Sequence, residues 1–258
     1  MTLRAPPRIE LQNVTLGYDK RPAVHHLSGV IEPGELLAVC GPNGGGKSTL
    51  LKGLAGLLNP IGGRIECGGL KFRDFAYLPQ ACDIDRSFPI DVRDFAALGS
   101  IRRAGLFGRL GADEDTRVTA ALQAVGLRGF ETRAIETLSG GQMQRALFAR
   151  LMVEDEAVIL LDEPFGAIDA ATTDDLLALI AGWRAEGRTV IAALHEFDLV
   201  QRAFPKTLLI ARDAVFWGAT KDAFAPEHLL HARLMPQSFL ADAQLCRRDD
   251  ASGRADAV

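Results

Sequence analysis

The run Gly41-Pro42-Asn43-Gly44-Gly45-Gly46-Lys47-Ser48 satisfies G-x-x-x-x-G-K-[ST], and Thr49 follows it. A run of this kind acts on phosphates. Glycines let the backbone bend until consecutive N–H groups point inward at phosphate oxygens, and a following helix adds positive charge at its N-terminus. Lys47 has the length to reach β- and γ-phosphates. The Ser48 hydroxyl suits Mg²⁺, and Thr49 suits a further phosphate contact. The pattern has this meaning between a strand and a helix. Here the apolar run Leu36–Cys40 ends directly in glycine, and a helix pattern starts where the glycines stop. The second candidate is Val158-Ile-Leu-Leu-Asp162-Glu163, an apolar strand that delivers two carboxylates at its C-terminal end, where open α/β sheets bind ligands. Neighbours on a strand face opposite ways, so the two need not share a task. Asp162 suits Mg²⁺ held through water, and Glu163 suits a general base for an attacking water. Apart from the phosphate loop, two acids before Pro164 would read as a helix N-cap.

These residues need a scaffold. Residues 8–16 alternate apolar and polar as a half-buried strand does, and Leu27–Ile31 reads as a second strand closed by Pro33-Gly34. The helix after the glycines is expected to reach about Leu58, stopped by Asn59-Pro60 and Gly62-Gly63. Arg64–Cys67 and Phe75–Leu78 read as strands. From about Ala81 to Glu156 the texture turns helical, with helices predicted over 91–99, 113–125 and 141–153. Strand Val158–Leu161, helix 172–186, strand Thr189–Leu194, helix 196–203 and strand Thr207–Ala211 follow. Short apolar strands alternating with helices predict an α/β sheet covered on both faces. The chain reads as one domain over 1–240, with the helical lobe of about 81–156 inserted in it. The polar, small-residue stretch 241–258 is expected to be a mobile tail.

Composition narrows the classes. In 258 residues, 48% are hydrophobic and 24% charged, which fits a globular chain with a core and excludes a disordered one. The formal net charge of −4 argues against a dedicated nucleic-acid binder. No uncharged apolar run approaches the about 18 residues of a membrane span, and the N-terminus has no apolar secretory stretch. Cys40, Cys67, Cys82 and Cys246 lack the close pairing of a disulfide frame or zinc site. They read as reduced thiols, the first three as buried small residues and Cys246 as part of the tail.

Leu138-Ser139-Gly140-Gly141-Gln142 lies between the phosphate loop and the acidic strand. With it the chain resembles the ATP-binding subunits of ABC transporters over about Ile9–Gly218. The resemblance implies an α/β P-loop core with the inserted helical lobe and an N-terminal antiparallel β subdomain. It implies ATP with Mg²⁺, and a homodimer that sandwiches two nucleotides head to tail. Tyr18 matches the aromatic that stacks on adenine. Gln80, in Tyr77-Leu-Pro-Gln80, matches the glutamine between the lobes, which joins Ser48 and Asp162 at the metal. Asp169, in Gly166-Ala-Ile-Asp169, matches a dimer-contacting aspartate, and His195 a switch histidine that positions water at the γ-phosphate. Ser139 with the following glycines makes a donor nest at a helix start, suited to a γ-phosphate. The resemblance, not spacing, says that this phosphate belongs to ATP on the other subunit. Taken singly, each has a plainer reading: Gln80 as a loop residue, His195 as a structural histidine, Tyr18 as packing on a sheet edge. The sequence departs from the family at Gly166-Ala-Ile-Asp169, commonly Ser-Ala-Leu-Asp, and at Glu196, often aspartate.

A chain without a membrane span or long coiled coil, and with one phosphate loop, points to a transport subunit working with a separate permease. The resemblance puts it at the cytoplasmic face of the inner membrane as a peripheral subunit, served indirectly by a metal-binding solute-binding protein. The permease's loops are expected to meet the helical lobe near Gln80 to Val92. Asp85-Arg-Ser-Phe-Pro-Ile90, Gln144-Arg-Ala-Leu-Phe-Ala-Arg150 and Phe165 resemble the zinc and manganese importer ATPases. The alternatives are an ATPase for iron-siderophore, haem or cobalamin import, where threonine is usual at Phe165, and a non-transport ABC regulator. A P-loop kinase is disfavoured, because Leu138–Gln142 has no role there. His25-His26 and His228-x-x-His231 lack a third ligand and read as surface or packing histidines.

Overall fold

The structure is a computed structural model that describes residues 5–19, 21–70, 74–80, 83–101, 111–166 and 168–241. Its strands are β1 (Ile9–Tyr18), β2 (Arg21–Ile31), β3 (Leu36–Cys40), β4 (Gly62–Glu66), β5 (Phe75–Leu78), β6 (Val158–Asp162), β7 (Thr189–Ala193), β8 (Lys206–Ala211) and β9 (Asp213–Ala219). Its α-helices are α1 (Lys47–Leu54), α2 (Val92–Ala97), α3 (Ala112–Ala124), α4 (Gly140–Glu154), α5 (Ala170–Ala185), α6 (Phe197–Ala203), α7 (Thr220–Ala223) and α8 (Pro226–Ala241). Two sheets result: an antiparallel one of order β2-β1-β4, and a six-stranded one of order β5-β6-β7-β3-β8-β9. The large sheet is parallel except for β9, which pairs antiparallel with β8.

β3, β6 and β7 are buried at every residue, and alternate side chains serve two different cores. Ala38, Ile159, Leu161 and Val190 face one core with residues of α2, α3, α4 and α5. Leu37, Val39, Leu160 and Ile191 face the other with α1 and the antiparallel sheet. Burial on both faces explains why these strands read as continuous apolar runs. Trp217 of β9 locks the two sheets together. A Cβ on Gly29 of β2 would lie 2.3 Å from its ring, so only glycine admits the indole there. Between β5 and β6 the described residues form helices joined by turns, with one isolated bridge, Asp91 to Ala134, and no strand among them.

Two boundaries differ from expectation by four residues or more. Helix α1 ends at Leu54 rather than near Leu58, because Gly56 turns left-handed (φ +67°) and Leu57 N–H reaches back to Lys52 O. β2 begins at Arg21 rather than Leu27: Pro22 reads as a turn residue, but β2 is an edge strand, where proline needs no ladder partner. β9 and α8 lie beyond the elements that the residue pattern predicts. The expected mobile tail, from 242 on, lies outside the described residues, as do Cys82 and Cys246. Cys40 and Cys67 are buried, and burial pushes the Cys40 thiol up to about 12. No described helix is long and apolar enough to cross a membrane.

Candidate active site

β3 runs straight into the glycine loop. Gly41 sits at φ +149°, and a Cβ there would lie 1.9 Å from Ile210 O of β8. Gly46 caps α1 at φ +99°, where a Cβ would come within 2.7 Å of Ala23 O. A side chain at either position would push the loop off its neighbours, so the backbone shape requires glycine. Lys47 opens α1 and is 5% exposed. Its Nζ donates to Gly41 O (2.9 Å) and Pro42 O (3.1 Å), so the lysine folds back along the loop. Burial lowers its pKa, and the nearby charge of Glu163, with a smaller contribution from Asp162, works against that.

Asp162 ends β6 with no solvent exposure. Ser48 Oγ donates to its Oδ1 at 2.9 Å, and the Tyr77 hydroxyl donates to its Oδ2 at 3.3 Å. Gln80 Nε2 in turn donates to Ser48 Oγ at 3.4 Å. Burial raises the Asp162 pKa, and the hydrogen bonds from Ser48 and Tyr77 oppose the rise. The Ser48 hydroxyl and the buried Asp162 carboxylate put two oxygen ligands on one spot, the chemistry that a hard cation such as Mg²⁺ takes, while Gln80 turns its amide nitrogen toward Ser48 and would have to flip its amide to offer an oxygen.

Glu163 leaves the strand. Its φ is +50°, a left-handed value uncommon outside glycine, and its N–H is held by Ala193 O at 3.1 Å. The expected strand alternation therefore fails at this residue, and Glu163 joins the cleft that Ser48 lines. That cleft has a volume of about 600 Å³ and is lined by Gly46, Lys47, Ser48, Gln80, Glu163 and His195, together with Ala23, Asn43, Gly44 and Thr49. His195 is half-exposed after β7, with Nε2 3.9 Å from Glu196 Oε1. Apart from Ala23 of β2, the lining residues follow the C-terminal ends of β3, β5, β6 and β7.

Other expected site residues lie apart from this cleft. Tyr18, the last residue of β1, is 50% exposed. Ser139 is the N-cap of α4 in a reciprocal capping box: Gln142 N–H donates to Ser139 Oγ (3.2 Å), and Ser139 N–H to Gln142 Oε1 (3.0 Å). The first-turn amides of Gly140 and Gly141 are not used by this box. Asp169 caps α5, accepting from Thr172 N–H (2.8 Å) and Thr172 Oγ1 (2.9 Å), which holds its carboxyl below the usual range. Gly141 lies beside that cap: a Cβ there would sit 3.8 Å from Asp169 Oδ2. Sequence reasoning missed Tyr77, Arg86 and Thr172. Arg86 Nη2 donates to Leu138 O, directly before Ser139. Tyr77 stood inside a quoted motif, yet only the fold brings its hydroxyl to Asp162. Among the described residues no group of three or more His, Cys, Asp or Glu could hold a metal ion. His25 is buried, and His228 packs on Phe216, so both fit the packing reading.

The family pattern described as "ABC transporter" matches residues 24–166. The manganese transport system ATP-binding protein MntB of Bacillus subtilis is 34% identical over 241 residues, 92% of this chain and 96% of its own. The zinc transport system ATP-binding protein TroB of Treponema pallidum is 35% identical over 228 residues, 87% of this chain and 86% of its own. Among solved structures, a chain of an ABC transporter described as of the metal-chelate type, in an inward-facing conformation, superposes with a TM-score of 0.77 at 29% identity, covering 87% of this chain and 89% of that one. A dimeric ATP-binding cassette bound to ADP and Pi shares the fold, with a TM-score of 0.72 at 22% identity over 82% of this chain and 98% of its own. This chain belongs to the ABC transporter family and is an ATP-binding subunit that hydrolyses ATP.

Proposed function

We propose that this chain is the ATPase of an importer for a divalent metal ion, zinc or manganese. It would work as a head-to-tail homodimer on a permease at the cytoplasmic face of the membrane, supplied by a metal-binding solute-binding protein. The likeness to manganese and zinc transport ATP-binding proteins over most of the chain carries this reading. A second reading is import of a metal chelate, favoured by the likeness to the metal-chelate-type transporter.

The residues suggest how hydrolysis would run. The loop amides from Gly41 to Gly46, with Lys47 and Thr49, would hold the phosphates, and Tyr18 would stack on adenine. Lys47 Nζ would exchange Gly41 O and Pro42 O for phosphate oxygens, which favour its charged form. Mg²⁺, held by Ser48 and Asp162 with Gln80 beside them, would supply charge neutralisation at the β- and γ-phosphates. Glu163 would accept a proton from water as the water oxygen attacks γ-phosphorus, and ADP would leave with the bridging oxygen. His195 would orient that water. Ser139, Gly140, Gly141 and Gln142 would meet the γ-phosphate bound by the partner subunit, with Asp169 at the dimer contact.

Uptake separates the two cargo readings. Cells with the chain and its permease are given labelled manganese, zinc, and an iron–siderophore chelate. Free-ion uptake lost in Glu163→Gln supports the first reading. Chelate uptake alone overturns it.

A further inference from the structure

Asp162 is a buried carboxylate with two oxygens to place, and Ser48 accounts for one of them. The other is met by Tyr77, a residue with no role in the reading above. β5 and β6 are parallel neighbours, with Tyr77 opposite Leu160 and Leu78 opposite Leu161. Phe75, Tyr77, Val158 and Leu160 all face the core on the α1 side. Alternation puts Asp162 on that same face, one step beyond Leu160. The phenol therefore points along the sheet to the carboxylate, and the Tyr77 hydroxyl reaches Oδ2 at 3.3 Å. The backbone of Tyr77 is fixed as well, since Arg150 Nη2 of α4 donates to its carbonyl at 3.1 Å.

We propose that Tyr77 is a positioning residue for the divalent cation that accompanies ATP: its hydroxyl holds Oδ2 of Asp162 and so aims Oδ1 at Ser48 and the metal. A carboxylate held by one hydroxyl alone can turn about its side-chain bonds. A second donor on the far oxygen removes that freedom and satisfies a buried lone pair. Partners of this type behind a metal ligand are typically worth about 10- to 100-fold in metal affinity or activity. The proposal rests on the reading that Ser48 and Asp162 hold the cation.

The test uses the full chain with ADP and Mn²⁺ as a spectroscopic stand-in for Mg²⁺, with free Mn²⁺ read by electron paramagnetic resonance. Tyr77→Phe removes one oxygen and keeps the ring. Mn²⁺ affinity of the ADP complex is expected to fall about tenfold, while ADP affinity in EDTA, measured by calorimetry, stays within about twofold of wild type. Unchanged Mn²⁺ affinity overturns the proposal, and so does an equal loss of metal-free ADP affinity, which marks a general structural role. 4-Aminophenylalanine at position 77 restores a donor in nearly the same place and is expected to recover Mn²⁺ binding. Failure to recover it counts against the proposal, including the case in which the Phe variant does not fold. Asp162→Asn separates the two levels. If it leaves Mn²⁺ affinity intact, the cation site itself is misread; if it lowers affinity and Tyr77→Phe does not, only the role of Tyr77 falls.

Discussion

Ser48 and Asp162, separated by 114 positions in the chain, meet through a 2.9 Å hydrogen bond that ties the wall of the cleft to the buried end of β6. One lies in the first turn of α1 after β3 and the other closes β6, so the pair forms only once β7 has been laid between those strands. The bond registers correct assembly of the sheet as well as a site for chemistry.

Lys47→Ala is expected to weaken ATP binding by about 2 kcal/mol or more, on the order of 30-fold, because charged hydrogen bonds to phosphate are lost. The two loop carbonyls that Lys47 now meets are exposed to water once the side chain is gone. Fold stability should therefore change less than affinity does. Calorimetry at matched folded fractions makes the comparison, and unchanged ATP affinity would count against the cradle assignment.

Glu163→Gln keeps the size and the hydrogen-bonding reach but cannot take a proton. ATP binding should persist, while turnover drops about 10²- to 10⁴-fold, the usual scale of general-base catalysis. A nucleotide-bound dimer should then accumulate on size-exclusion chromatography with ATP and Mg²⁺. Near wild-type turnover would remove Glu163 as the base.

Much of this architecture could be read from residue pattern. β3, β5, β6 and β7 were legible because burial on both faces forces unbroken apolar runs, and the cradle because glycine spacing is dictated by backbone shape. β9 and α8 were not. Phe216 and Trp217 gave an aromatic patch without a clear period, and the partner that makes it a strand is β8, reached by a reversal at Arg212 (φ +71°). The left-handed turn at Glu163 was equally hidden, since a proline follows and nothing local announces it. The meeting of Tyr77 with Asp162 depends on strand order, which no single segment encodes.

Asp169 gives a pH-dependent prediction. Hydrogen bonds from Thr172 N–H and then Thr172 Oγ1 lower its folded-state pKa below the unfolded value of about 3.9. A depressed folded pKa means that the stabilisation is complete above the unfolded pKa and is lost as pH falls through the folded one. Asp169→Asn keeps the cap, because asparagine caps as well as aspartate, and should reduce the acid-side slope of stability without a large loss at neutral pH. Thermal melts from pH 2 to 7 would show it; parallel curves for both proteins would reject the assignment.

Ser139→Arg should leave ATP binding nearly intact and abolish turnover if the Leu138–Gln142 segment serves ATP on the partner. A milder control, Ser139→Ala, costs about 1 kcal/mol through the lost cap alone. Full activity of the Ser139→Arg homodimer would reject the trans role.

Phe88 and Ile90 have different surroundings. Phe88 is 62% exposed, whereas Ile90 packs on the core of the helical lobe. Beside them lies a groove of about 420 Å³ rimmed by Asp91, Asp94 and Glu136. The backbone beside it is tied to the Leu138–Gln142 segment: Ile135 N–H donates to Ile90 O, and Arg86 donates to Leu138 O. A permease segment seated here would therefore press on backbone that leads directly to Ser139. Phe88→Asp should keep the ATPase activity of the isolated subunit and its melting temperature, since a ring this exposed contributes little packing. It should weaken permease assembly and metal uptake, because a charge desolvated at an apolar anchor has no partner. Ile90→Asp should instead destabilise the lobe and lower both activities. The measurement pairs isolated-subunit ATPase with zinc and manganese uptake in cells that express the permease. Normal uptake in Phe88→Asp would move the coupling interface elsewhere, and loss of isolated ATPase in that variant would mean that this exposed ring supports the fold after all.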